Sequence, residues 1–194
     1  DQRQLGQLTG AACAVECAEM AERHRGLVML VAPDMQTSLR LQDEIQQFTR
    51  QPVISLADWE TLPFDSFSPH QDIISSRLST LYRLPTLTRG VLILPVNTLM
   101  QRYCPHDFLH GHALVMHKGQ QLSRDRLRAQ LEQAGYRHVD QVMEHGEYAT
   151  RGALLDLFPM GSEQPYRIDF FDDEIDSLRL FDVDSQRTLE EVEA

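Results

Sequence analysis

The chain has 194 residues, of which 42% are hydrophobic, so it can bury one large core or two small ones. Its 29 acidic and 18 basic residues give a formal net charge of -11, which disfavours direct binding to nucleic acid phosphates. No apolar run approaches the roughly 20 residues of a membrane helix, no signal peptide is visible, and three cysteines without disulfide spacing fit a reducing cytoplasm.

Strands and helices are predicted to alternate in the first half of the chain. Three short apolar runs are typical of buried parallel strands, at 27–32, 52–56 and 90–95. Helical spacing of apolar side chains predicts helices at 35–49 and 72–84. An alanine-rich segment that ends before Gly26 predicts a helix at 11–25, and a short helix is expected at 96–102. Asp34 is the expected N-cap of the second helix. This alternation favours a parallel α/β layer structure.

The remaining turn-forming and capping residues predict a loop and then a change in secondary-structure pattern. The segment 57–70 is predicted to be an ordered loop, because it contains Trp59, Pro63, Phe64, Phe67 and Pro69. From Ala113 onward the predicted strands alternate in polarity, and a single helix runs from a Ser123 cap to Gly135. The second half therefore reads as a small α+β domain with an antiparallel sheet. We place the boundary at about residue 110, which gives domains 1–110 and 111–194.

The runs 147–159 and 166–171 are predicted to pair as a β-hairpin with a longer loop between them. Alternation would place Tyr166, Ile168 and Phe170 on a core face, and Arg167, Asp169 and Phe171 on the opposite face. A phenylalanine among charges on an open sheet face is a candidate contact for another protein. The alternative is a solvated outer face on which a neighbouring loop covers Phe171.

The segment Thr9-Gly10, just before the first predicted helix, raises the question of a phosphate-binding loop. Such a loop needs further glycines, a lysine for the terminal phosphates and a hydroxyl group for magnesium. The positions that should supply them hold Ala11, Ala12, Cys13 and Ala14, with Cys13 in the lysine position. We therefore predict a nucleotide-binding fold without a working nucleotide site, no cofactor, and no catalysis by this chain. A residual nucleotidase is the competing interpretation.

Two groups of residues contain side chains of the types that bind metal ions. Within nine residues the chain carries Cys104, His106, His110 and His112. Their spacing matches no standard zinc site, so a hydrogen-bonded or solvated connector is favoured over a metal centre. The acidic run Asp172-Asp173-Glu174, followed by Asp176, is predicted to form a solvated turn between two strands rather than a magnesium site. No metal is predicted.

Several of these segments together resemble a known family. The stretches 9–10 with 27–33, 150–159, 166–175 and 180–182 resemble the N-terminal half of UvrB, the helicase-like subunit of the bacterial nucleotide-excision nuclease. The distinctive stretch 59–70 makes the chain more similar still to the N-terminal module of the bacterial transcription-repair coupling factor family, and this resemblance covers essentially the whole chain. Because the chain starts without methionine and ends in an acidic stretch, we treat it as a fragment of such a protein.

The resemblance implies a degenerate helicase-type, RecA-like α/β domain followed by a small domain that recruits UvrA, the damage-scanning ATPase, to stalled RNA polymerase. The family's contact residues fall on Arg151, Arg167 and Phe171, and we expect Asp169, Asp173 and Glu174 to lie near them. An ATP-driven DNA translocase motor and the polymerase-binding domain would lie beyond Ala194, so polymerase and DNA would be contacted only through other domains.

Two features of the resemblance do not carry over to this chain. The phosphate loop of UvrB is replaced at Ala12, Cys13 and Ala14, so its ATPase activity is not implied here. The short segment 57–72 has no room for the tyrosine-rich hairpin with which UvrB grips DNA. Direct DNA binding is therefore a third and disfavoured interpretation.

Overall fold

The computed structural model describes residues 4–61 and 66–194, in which the chain forms two compact units. The first unit comprises residues 1–69 and 80–106, and the second comprises residues 70–79 and 107–194. The predicted loop residues Pro63 and Phe64 lie outside the described part of the chain. No helix among the described residues is long and apolar enough to span a membrane.

The first unit is built on a three-stranded parallel sheet with the strand order β1–β3–β2. Its elements are α1 (Ala12–Arg23), β1 (Leu27–Ala32), α2 (Met35–Gln46), β2 (Val53–Ser55), β3 (Gly90–Pro95) and α4 (Val96–Leu99). Between β2 and β3 the chain also forms α3 (Gln71–Arg83), of which residues 71–79 belong to the second unit, and a 3-10 turn (Leu84–Thr86). The predicted strands at 27–32 and 90–95 are confirmed, and every residue of the central strand β3 is buried. The predicted burial of 27–32 is wrong, because β1 is an edge strand in which Met29 and Val31 are exposed.

Helices α1 and α2 cover one face of this sheet with small and aliphatic side chains. The cluster contains Ala14, Cys17, Ala18, Ala21, Leu41, Ile45, Val91 and Ile93. The predicted Asp34 cap is confirmed, because its Oδ1 atom accepts a hydrogen bond from the Thr37 backbone N–H at 2.7 Å. That bond holds the pKa of the Asp34 carboxyl group below its ordinary value.

The second unit is built on a six-stranded sheet in sequence order from β4 to β9. Its elements are α5 (His106–Gly111), α6 (Arg124–Gln133), β4 (Arg137–His138), β5 (Glu147–Arg151), β6 (Leu154–Phe158), β7 (Tyr166–Phe171), β8 (Glu174–Phe181) and β9 (Thr188–Val192). The pair β4–β5 is parallel and the other four pairs are antiparallel. The sheet is therefore mixed, which corrects the prediction of an antiparallel sheet.

Three further local predictions differ from the structure. The run 147–159 forms two strands, because Gly152 has the left-handed φ of 62° and turns the chain between β5 and β6. The predicted connection at 104–111 contains helix α5. Between residues 113 and 122, where alternating strands were expected, the only strand pairing is an isolated bridge from Gln121 to Glu174.

Residues 70–79, which the sequence analysis places in the first domain, belong to the second unit. The His145 ring explains part of this grouping, because its Nδ1 atom lies 2.8 Å from Asp72 Oδ1. A second link is the hydrogen bond of 2.9 Å from the Gly161 N–H to Ser75 Oγ. Both links join sequence-distant segments that no local pattern in the chain connects.

The six-stranded sheet has two faces of different character. Its first face packs on α6 through Leu127 and Leu131 and carries Tyr148, Leu155, Leu157, Ile168, Phe170, Ile175 and Leu178. The predicted core face of β7 is confirmed, since Ile168 and Phe170 are buried and Tyr166 packs against this core. The opposite side of the sheet, called the second face below, carries the alternate residues of each strand.

Candidate functional site

The second face brings together most of the residues that the sequence analysis selects. Residues i and i+2 of a strand share a face, so Arg167, Asp169 and Phe171 line one row along β7. Cross-strand pairing then places Arg151 of β5, through Leu154 of β6, in register with Asp169. Glu174 pairs with Phe171, whereas Asp173 lies in the turn between β7 and β8.

One end of the second face, called the covered end, is a small apolar core. It consists of Val142, Ala149, Phe158 and Phe181, with Val139 and Val183 packed against them. The side chain of Gln186 ties the covering segments together, because its Nε2 atom donates to the carbonyl oxygens of Val142 at 3.1 Å and Val183 at 2.8 Å. The remaining part, called the open end, carries Arg151, Leu154, Asp169, Phe171, Glu174 and Arg179.

Phe171 is the most exposed large hydrophobic side chain of the open end, with 73% of its surface accessible. It is the last residue of β7, and the following residue, Asp172, has a left-handed φ of 53° that turns the chain into β8. A ring of this size in contact with water is a natural anchor for a partner pocket. Among the described residues, no loop covers Phe171, so the alternative of a covered ring is not observed.

Charged side chains of both signs share the open end with Phe171. Arg179 Nη2 lies 3.0 Å from Asp169 Oδ2, and both side chains are about one-third exposed. Arg151 is exposed, and its Nη2 atom donates to the backbone oxygen of Asp140 at 2.9 Å. Glu174 accepts a hydrogen bond of 2.8 Å from Gln121 Nε2. An apolar anchor inside such a mixed rim can bind a partner surface of complementary charge.

Arg167 differs from its neighbours because it is mostly buried, with 15% of its side chain exposed. Its Nε and Nη2 atoms donate to the two carboxylate oxygens of Asp156 at 2.8 and 2.9 Å. Its Nη1 atom donates to the Gln186 carbonyl oxygen at 3.2 Å, and the guanidinium lies 4.8 Å from the centroid of the Phe181 ring. The hydrogen bonds to Asp156 raise the pKa of Arg167 above its ordinary value.

Sequence reasoning missed Asp156 and Arg179 as members of this face. Asp156 stands between leucines in the run of β6, and only 4% of its side chain is exposed. A carboxylate at an alternating position of an apolar strand is a usable signal, because a buried charge requires a partner. The partner itself could not be named without the register that places Asp156 opposite Arg167.

The segment that resembles a phosphate loop lies at the start of α1. Gly10 has a left-handed φ of 56°, and the helix begins at Ala12. Cys13 is partly buried, and Ala14 is fully buried in the core beneath α1. Beyond the carboxyl end of β2, the Asp58 carboxylate accepts hydrogen bonds from the side chains of Asn97, at 2.5 Å, and Gln101, at 2.9 Å.

The cysteine and histidine cluster lies in and beside α5. The His112 ring stacks on Phe108 with a centroid separation of 4.0 Å, and its Nδ1 atom lies 2.8 Å from the Phe108 carbonyl oxygen. Within residues 4–61 and 66–194, no group of three or more histidine, cysteine, aspartate or glutamate side chains is arranged to hold a metal ion.

Comparison with known proteins identifies a matching domain model and relatives of this chain. Residues 114–194 match the model of the UvrB interaction domain. The whole chain is 82% identical to a transcription-repair-coupling factor of Escherichia coli K12, and 99% of it is 53% identical to one of Haemophilus influenzae. A further relative with this name, from Staphylococcus aureus USA300, is 29% identical over 96% of the chain.

The chain spans between 16% and 17% of the length of these three relatives. In the Escherichia coli protein the matching part is the N-terminal one. The open end of the second face lies entirely within the segment that matches the domain model. The chain therefore belongs to the family of N-terminal modules of bacterial transcription-repair-coupling factors, and its residues 114–194 form a UvrB interaction domain.

Proposed function

We propose that this chain is a protein-recruitment module that docks UvrA, and that it links RNA polymerase stalled at a lesion to nucleotide-excision repair in a longer protein. The match to the UvrB interaction domain and the names of the relatives support this role. The observation that carries the proposal is the exposed Phe171 ring in the charged open end of the second face. RNA polymerase and DNA would be bound by other parts of that protein.

Each proposed contact has a distinct chemistry. Phe171 would enter an apolar pocket of UvrA, and burial of an aromatic ring is a frequent source of binding free energy. Arg151 would offer its planar guanidinium to partner carboxylates. The acidic residues Asp169, Asp173 and Glu174 would form ion pairs with basic groups on the partner. Arg167 belongs to the same face, at the border between its covered and open ends.

The first unit is proposed to be a scaffold with a degenerate, RecA-like helicase fold. Its alternating helices and parallel strands support that assignment. The loss of a nucleotide site is supported by Cys13 in the lysine position and by Ala14, which is buried in the helix-sheet core. Asp58 at the carboxyl end of β2 already accepts internal hydrogen bonds from Asn97 and Gln101. No catalysis is proposed for this chain.

The scaffold assignment predicts that the chain does not bind or hydrolyse ATP. Without a lysine and a magnesium-binding hydroxyl, the loop lacks the groups that stabilise the terminal phosphates. Isothermal titration with Mg-ATP should give no binding heat, and a phosphate-release assay should give no turnover above the buffer rate. Saturable ATP binding that disappears in a Gly10→Asp variant would support the residual nucleotidase instead.

Replacing Phe171 by alanine should weaken UvrA binding by about 2 kcal/mol or more, which corresponds to a loss of about 30-fold in affinity. The free energy of unfolding should change by less than about 0.5 kcal/mol, because the ring is exposed in the unbound chain. The measurement is the dissociation constant of the 194-residue chain with purified UvrA, for the wild type and the variant.

Phe67 offers a matched control, because it is 82% exposed but lies in the first unit. A Phe67→Ala variant removes the same ring from a surface outside the open end and should keep the affinity of the wild type. Equal losses in both variants would indicate a nonspecific apolar effect. If the wild type binds UvrA and Phe171→Ala binds equally well, the docking face lies elsewhere; if the wild type does not bind, the recruitment role is wrong.

A further inference from the structure

The buried ion pair between Asp156 and Arg167 has no role in the proposed contacts described so far. Asp156 lies on β6 directly opposite Arg167 of β7, and its carboxylate accepts two hydrogen bonds from the guanidinium. With 4% of the Asp156 side chain exposed, this carboxylate has no access to a partner surface. Both of its oxygens accept hydrogen bonds from Arg167.

The donors of Arg167 are also directed inward. Its Nε, Nη1 and Nη2 atoms each donate to an acceptor within this chain, and its planar group covers the Phe181 ring. A guanidinium binds a carboxylate best through two parallel N–H groups, and Asp156 occupies the pair formed by Nε and Nη2. A second fork of this kind toward a partner would compete with the Gln186 carbonyl for Nη1.

These contacts connect three segments at the border of the open end. The ion pair joins β6 to β7, and the Nη1 bond joins β7 to the turn that follows β8 through Gln186. Gln186 has a left-handed φ of 60°, and its N–H donates to the Asp182 carbonyl oxygen at 2.8 Å. Phe171 lies on the same row as Arg167, four residues further along β7. Because these contacts fix the border before binding, less conformational entropy is lost when a partner docks.

We propose that Asp156 is a positioning residue for partner docking, which acts by holding the Arg167 guanidinium over Phe181 and against the turn at Gln186. This inference rests on the proposed function of the open end. It assigns Arg167 an internal role, in which its loss weakens docking by loosening the border rather than by removing a contact to UvrA.

The first test replaces Asp156 by asparagine, which keeps the shape but removes the charge that holds Arg167. The positioning role predicts that affinity for purified UvrA falls by about fivefold or more in a fully folded variant. Hydrogen exchange at the Gln186 amide should become faster, because the turn is no longer held. A direct contact role for Arg167 predicts unchanged or higher affinity, because the guanidinium is released toward the partner; that result overturns the proposal.

Glu147→Gln is the matched control. Glu147 is a buried carboxylate on the same face, bonded to Arg137 Nη2 at 2.9 Å and to the N–H groups of Met143 and Glu144. Its replacement should lower stability without changing UvrA affinity. If both variants lower affinity equally, general loosening of the sheet is responsible, and the specific role of Asp156 is wrong.

A second test keeps the proposal falsifiable if Asp156→Asn does not fold. Arg167→Leu leaves the Asp156 carboxylate without its partner, whereas the double variant Asp156→Leu with Arg167→Leu replaces the pair by packed apolar side chains. The positioning role predicts that the double variant recovers affinity relative to Arg167→Leu. Absence of recovery in a folded double variant means that UvrA needs the guanidinium itself, and it overturns the proposal. Failure of the wild type to bind overturns the proposed function and this inference together.

Discussion

Replacing Arg167 by alanine should lower the free energy of unfolding of the second unit by about 3–5 kcal/mol. The physical reason is the Asp156 carboxylate, which is almost inaccessible to water and would lose both of its hydrogen bonds from the guanidinium. The same change removes the cation-π contact with Phe181 and the bond to the Gln186 carbonyl. Urea titration measures the free energy of unfolding, and hydrogen exchange of the β6 and β7 amides shows whether the loss lies in this unit.

Arg179→Ala is the natural control for this experiment. Arg179 is on the same face in the neighbouring strand, and its ion pair with Asp169 has one-third of each side chain exposed. Because water screens that pair, its loss should cost about 1 kcal/mol or less. Comparable costs for Arg167→Ala and Arg179→Ala would contradict the assignment of Asp156–Arg167 as a buried pair.

The size of the expected Arg167 effect bears on how binding data are interpreted. A variant that loses several kcal/mol of stability can lose partner affinity simply because less of it is folded. Phe171 does not have this problem, because its ring is exposed before binding. Binding experiments on the open end should therefore use Phe171 as the primary probe and treat Arg167 only together with Asp156.

Replacing Gly90 by alanine should destabilise the parallel sheet of the first unit by about 2 kcal/mol or more. Gly90 has a φ of 127°, and an added Cβ atom would lie 2.3 Å from the backbone oxygen of Pro52. That oxygen accepts the hydrogen bond of 2.8 Å from the Val91 N–H, so the clash falls where β2 and the central strand β3 meet. Trp59, the single tryptophan, lies in this unit and reports its unfolding by fluorescence.

Gly10→Ala is the control that distinguishes the cost of a positive φ from the cost of the steric clash at Gly90. Gly10 also has a positive φ, of 56°, but an added Cβ atom would meet no atom within 4 Å. Its replacement should cost about 1 kcal/mol through the left-handed conformation alone. If Gly90→Ala is no more destabilising than Gly10→Ala, the close approach to Pro52 does not constrain the sheet.

The secondary structure of the first unit was predictable from its local sequence, although β3 is buried throughout and β1 is not. Strands β1 and β3 are continuous apolar runs that end at prolines, and the helix after β1 begins at the predicted Asp34 cap. Local side-chain chemistry determines such elements. The grouping of residues 70–79 with the second unit could not be predicted locally, because it depends on contacts with His145 and Gly161, which are far away in the chain.

For the candidate site, the period-two pattern of β7 by itself determined which residues share a face with Phe171. Asp156 stands among leucines in β6, but the sequence prediction did not select it. Only the tertiary structure decided that Phe171 is open while Arg167, on the same row, is covered. The reason is that exposure depends on long-range packing: the turn at Gln186 lies over one end of the face, and the strand register supplies Asp156 as the partner of Arg167.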